Sequence, residues 1–141
     1  MKLLDLIVCD DIRQEVSGKV SLIGVYSDLV IHFPSDMVQW PISLKIGLFI
    51  RFKLDDGEVI PTSFDINCFH NGAKFTNFAG NLTFPTDIKY FNLVLVNNAF
   101  PVPSTGEIVF EIVFQRKDGT IISIKPEYAL KVTSNTVSYS A

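Results

Sequence analysis

Asp10, Asp11, Arg13 and Glu15 stand within one short stretch between an apolar run that ends at Val8 and another that starts at Val20. Carboxylates so close together are hard oxygen ligands, and calcium sites at the loop ends of β-sandwiches gather acids from two or three loops. Asp36, or the Asp55-Asp56 pair, would complete such a set with Asp10 and Asp11. The same residues also have a structural use. Aspartates fix turn backbones through their own side chains, and a guanidinium holds two carboxylates in a fixed fork. In that reading, which leads, Arg13 is partly buried, pairs with Asp10, Asp11 or Glu15, and ties a strand connection together. Asp55-Asp56-Gly57 is sufficiently explained as a turn.

Nucleophilic catalysis needs a thiol or hydroxyl beside a histidine that an acid orients. The candidates are Cys9 and Cys68 with His32 and His70. Cys68 and His70, two apart on a strand, share a face, but that face also carries Ile60, Phe64 and Ile66, where a thiolate is disfavoured. A cysteine-dependent hydrolase is therefore the weakest of three functional readings. Two Cys and two His without a close pair of either lack zinc spacing. No motif reaches catalytic or ligand-binding specificity, so neither enzymatic activity nor a cofactor is expected.

Charge narrows the partners. A net charge of −3 and a pI near 5.2 do not suit the phosphate backbone, and nucleic acid is not an expected ligand. The basic doublet Arg116-Lys117 sits beside Asp118-Gly119 and reads as the solvated shoulder of a turn. The opening residues "MKLLDLIVCDD" contain Asp5 and are followed by acids, which fits neither a secretory leader nor a membrane span. The expected location is cytoplasmic, with both cysteines reduced.

Alternation at period two dominates the elements that must position these side chains. From Ile42 to Leu54 every even residue is apolar, and the odd ones read Ser43, Lys45, Gly47, Phe49, Arg51 and Lys53. After Asp55-Asp56-Gly57 the pattern resumes through Ile60, Phe64, Ile66 and Cys68, which predicts a hairpin. Ile108, Phe110, Ile112 and Phe114, the Asp118-Gly119 turn, then Ile122 and Ile124 predict a second. "KFTNFAGNLTF", "KYFNLVLVNNAF" and "YALKV" read as further strands. In the opening stretch Leu4, Leu6 and Val8 form one phase, Val20, Leu22 and Tyr26 another, and Ser17-Gly18 the turn, which leaves the acids in the connection. Pro61 inside a run suggests an edge or a bulge. The sum is one all-β domain over residues 1–141, an antiparallel sandwich of immunoglobulin-like or C2-like kind with about eight or nine strands.

The string Cys9-Asp10-Asp11-Ile12-Arg13-Gln14-Glu15, with Gly18-Lys19, Leu22-Ile23-Gly24-Val25-Tyr26 and Phe33-Pro34, resembles the start of a family of uncharacterised bacterial and phage-associated proteins. These share a C-D-D-[IV]-R-x-E…G-K-x-x-L-x-G-x-[YF] opening. Phe100-Pro101 and "GEIVFEIVFQRKDG" resemble their second half and the late strands of immunoglobulin-like sandwiches. The resemblance implies a fold and no activity. Gly106-Glu107-Ile108 stands where the family has Gly-x-Tyr, so no tyrosine corner follows.

Phe49 breaks phase on an otherwise polar face, and Val109, Val113 and Ile121 lie out of phase with the second hairpin's core. If the two hairpins share a sheet, these four form one apolar patch near the limit monomers leave exposed, unless the Trp40 loop or the tail "VTSNTVSYSA" covers it. The leading functional reading is a non-enzymatic binding or structural module that contacts another protein or a second copy of itself through a sheet face or edge. A C2-like calcium-dependent domain is the alternative.

Overall fold

A computed structural model describes residues 1–34 and 39–135. Ten strands follow one another: β1 (Lys2–Gln14), β2 (Val20–Val25), β3 (Val30–Phe33), β4 (Ile42–Lys53), β5 (Ser63–His70), β6 (Ala73–Asn81), β7 (Tyr90–Val102), β8 (Gly106–Gln115), β9 (Ile121–Ile124) and β10 (Leu130–Ser134). The one helical element among the described residues is a three-residue 3₁₀ turn, Val16–Gly18. There Ser17 and Gly18 both take positive φ, 73° and 74°, the sense of twist that a tight antiparallel hairpin accepts.

The strands form two sheets in the order β2-β1-β4-β7 and β3-β10-β8-β5-β6, with β9 also paired to β8. The all-β sandwich is as expected, with one or two strands more. One pairing departs from the antiparallel rule: β10 runs parallel to β3, from Lys131 opposite Val30 to Ser134 opposite Phe33. A parallel pair needs a long crossover, and here about two thirds of the chain lies between the two strands.

Alternation placed the core correctly. Ile46, Leu48, Ile50 and Phe52 of β4 are fully buried, and so are Ile66 and Cys68 of β5 and Ile108, Ile112 and Phe114 of β8. The phenylalanines join the layers: Phe52 of β4 meets Phe114 of β8 edge-on at 5.0 Å and stacks on Phe91 of β7 at 5.1 Å. Aromatic pairs at such separations add to the burial of their area.

Partner choice was a different matter. The hairpin expected around Asp55–Gly57 does not exist, because β4 pairs with β1 and β7 while β5 pairs with β6 and β8. The turn carries the chain from one sheet to the other, as a sandwich requires wherever two successive strands face each other across the core. Pro61 is buried just before β5, a central strand, so it marks that crossing and neither an edge nor a bulge. The hairpin around Asp118-Gly119 is present, with Ile112 opposite Ile124 and Gln115 opposite Ile121.

Candidate functional site

Of the acids expected in the connection only Glu15 lies there, at the start of the 3₁₀ turn, while Asp10 and Asp11 are in a strand. Asp10 to Gln14 belong to β1, which runs on past its last pair with β4, Cys9 opposite Gly47, and continues against β2 alone. A two-stranded ribbon twists more freely than a full sheet, and this one closes over the outer face of β4. Ile12, Val20 and Leu22 join Cys9 and Phe49 in a second apolar cluster. Gly47 makes the approach possible, since a β-carbon there would meet Cys9 Sγ and Ile12 Cγ1 at 3.0 Å.

Each acid has its own partner. Tyr26 donates its hydroxyl hydrogen to Asp10 at 2.5 Å; burial and that carboxylate raise the phenol's pKa. Gly24 faces Asp10 at φ +67°, and no side chain fits between them. Asp11 accepts from Lys45 at 3.1 Å and from the Ile12 N–H at 2.9 Å, and these bonds, Lys45 first, lower its pKa. Ser21 donates to Glu15 at 3.1 Å.

Arg13 is exposed and pairs with none of the three, which overturns the expected clamp. Strand alternation turns it outward once the stretch is β1 and not a connection. The arginine that does tie a connection is Arg116. Its Nη2 lies 2.7 Å from Glu58 Oε2 and its Nε donates to the Val59 carbonyl at 3.1 Å, joining the end of β8 to the β4–β5 crossing. Glu58 also accepts the Asp55 N–H and the Met1 α-amine. The sequence offered a signal for this, an acid directly after the Asp-Asp-Gly turn, but not its distant partner.

Among the described residues no group of three or more His, Cys, Asp and Glu side chains is placed to hold a metal ion. Asp36 lies outside the described residues. Both cysteines are free and buried, in different sheets. Burial raises the Cys9 thiol pKa and pushes that of Cys68 up to about 12. Cys9 Sγ faces the carbonyls of Asp11 and Gly47. His70 bonds Thr105 and Ser104, and His32 bonds Thr133 and Asn135, so no described hydrogen bond joins a thiol to an imidazole.

The expected apolar patch is split. Phe49 is 8% exposed under the ribbon and belongs to the four-stranded sheet, whereas Val109, Val113 and Ile121 belong to the other. Trp40 packs edge-on against Phe33, not over Phe49. Val109 and Ile121 remain exposed, and Val113 is half-buried.

A feature not marked by any sequence motif is the open edge of β7: among the described residues its backbone pairs with β4 on one side only. From Tyr90 to Asn97 the register against β4 is regular, Tyr90 opposite Lys53 and Asn97 opposite Ile46, and it shifts only beyond. Asn97 accepts the Ala99 N–H at 2.9 Å and so closes off the straight run. None of the thirteen residues of β7 is charged. A cleft of about 580 Å³ separates Phe78 and Ala79 of β6 from Val94–Ala99 of β7. The signal for it was present: thirteen uncharged residues make an unusual strand unless both sides are covered.

No family model matches this chain, and no curated protein matches it. No helix among the described residues is long and apolar enough to cross a membrane.

Proposed function

We propose that the protein is a non-enzymatic binding module whose ligand is an extended polypeptide segment, added as a strand to the free edge of β7. The observation that carries this reading is the contrast among edges. Soluble sandwiches guard their edges with short strands, charges, bends or bulges. Here β3 and β9 have four residues each, β2 has six and contains Gly24 at positive φ, and β6 carries Lys74 and a register shift opposite Cys68 and Phe69. In β7 a run of eight regular, uncharged residues has no such device. Unpaired N–H and C=O groups along such a run are satisfied by another strand as well as by water, and alternate side chains supply the selectivity. The two buried free thiols fit a reducing compartment, which supports a cytoplasmic location.

The test uses a labelled peptide of residues 90–97 with two lysines added for solubility. Saturable binding to the intact chain, followed by fluorescence anisotropy and weakened by exchanging Asn92 and Val96 for lysine, is expected. Absence of binding by the parent chain, at concentrations where it is monomeric, refutes the reading.

A further inference from the structure

The edge of β7 also bears on which polypeptide it takes, a question that rests on the strand-addition reading above. We infer that the occupant is β7 of a second copy of this chain, paired antiparallel about a two-fold axis. In a strand, outward N–H and C=O groups belong to alternate residues, so two identical edges match only when the axis passes through a residue position. With the axis at Leu95, Val94 falls opposite Val96 and Leu93 opposite Asn97. With the axis at Val94, Leu93 falls opposite Leu95 and Asn92 opposite Val96. Both registers oppose apolar to apolar at the centre, place asparagine toward the ends, and bring no charge against its like, because β7 has none.

Like charges directly opposite each other are what usually forbids self-pairing of a strand. Any strand edge with a net charge meets that penalty against its own copy, and this one does not. The pairing is isologous and consumes the edge of each protomer, so it closes as a dimer and leaves no propagating end on that side. The product is one continuous sheet of eight strands, β2-β1-β4-β7 followed by the same four in reverse. Val96, 39% exposed, is covered in it.

The experiment is light scattering on the purified chain over a range of concentrations, with three preparations. The parent is expected to be a dimer. The double substitution Asn92→Lys with Val96→Lys, both exposed positions, sets lysines near one another across the axis and is expected to weaken the dimer by about tenfold or more. The matching double substitution Asn92→Asp with Val96→Glu is expected to do the same alone. An equimolar mixture of the two variants is expected to regain the dimer, an outcome that misfolding cannot produce. A monomeric parent that still binds the peptide of residues 90–97 overturns the second-copy inference and leaves strand addition standing. A monomeric parent that does not bind it overturns both. A dimer that survives both pairs of substitutions overturns β7 as the contact.

Discussion

Arg13→Ala and Arg116→Ala remove the same group and the same charge, yet their consequences should differ. Arg116 and Glu58 have side chains only 18% and 9% exposed, 2.7 Å apart. Removing one partner of a fully buried pair costs about 3–5 kcal/mol, and an exposed pair contributes about 0–1 kcal/mol. Arg116 lies between these limits. Glu58 keeps the Met1 amine and the Asp55 N–H after the substitution, which lowers the loss, while the bond to the Val59 carbonyl disappears with the guanidinium, which raises it. The expected destabilisation is about 2 kcal/mol, or about 6 °C in Tm for a chain of this length. Arg13, exposed and unpaired with its neighbouring acids, should change stability by no more than about 0.5 kcal/mol. Thermal unfolding of the two variants beside the parent, by calorimetry or circular dichroism, measures the difference. Because both variants lose one positive charge, a general charge effect cancels. Equal midpoints, or a larger loss for Arg13→Ala, would refute the assignment of Arg116 as the arginine that ties β8 to the β4–β5 crossing.

Glu58 also contributes to the acid limb of stability. Burial tends to raise its pKa, but the bonds from the Met1 amine, the Asp55 N–H and Arg116 outweigh burial and leave it lowered. A carboxylate whose folded pKa is depressed contributes fully above its unfolded value, 4.5 for Glu, and loses that contribution as the pH falls through the folded one. Denaturant titrations from pH 6 down to about pH 3 should therefore show a shallower decline for Glu58→Gln than for the parent, and equal slopes would count against the network. Phe49→Ala should cost about 3–4 kcal/mol, because the ring is buried beneath the β1–β2 ribbon and its loss leaves a cavity; a change under about 1 kcal/mol in urea unfolding would show the ribbon does not cover it. Finally, Cys9 and Cys68 should react with a disulfide reagent at neutral pH only as the chain unfolds, since both thiols are buried with raised pKa values. A fast native-state reaction at either cysteine would restore the hydrolase reading.

Period-two alternation by itself determined the all-β class, the core residues of β4, β5 and β8, and the Asp118-Gly119 hairpin. These are local matters: a side chain's face follows from its parity along the strand, and an Asp-Gly turn between in-phase runs leaves little else to form. Partnership between strands is not local. β4 and β5 carry all the marks of a hairpin, and only the competition of β1 and β7 for the edges of β4 sends β5 into the opposite sheet. The same limit explains the arginines. Arg13 has acids beside it in sequence, but its parity within β1 points it to solvent, while Arg116 finds Glu58, 58 residues away, because the crossing and the end of β8 meet at one end of the sandwich. Phe49 was conspicuous as an apolar residue on a polar face. What covers it, the ribbon that β1 forms with β2 after parting from β4 at the Cys9–Gly47 pair, depends on where two paired strands diverge and on Gly47 leaving room. The openness of β7 belongs to tertiary structure as well: its uncharged sequence is visible in the chain, but whether a strand lies at the centre or the edge of a sheet is settled only by which neighbours the rest of the fold brings to it.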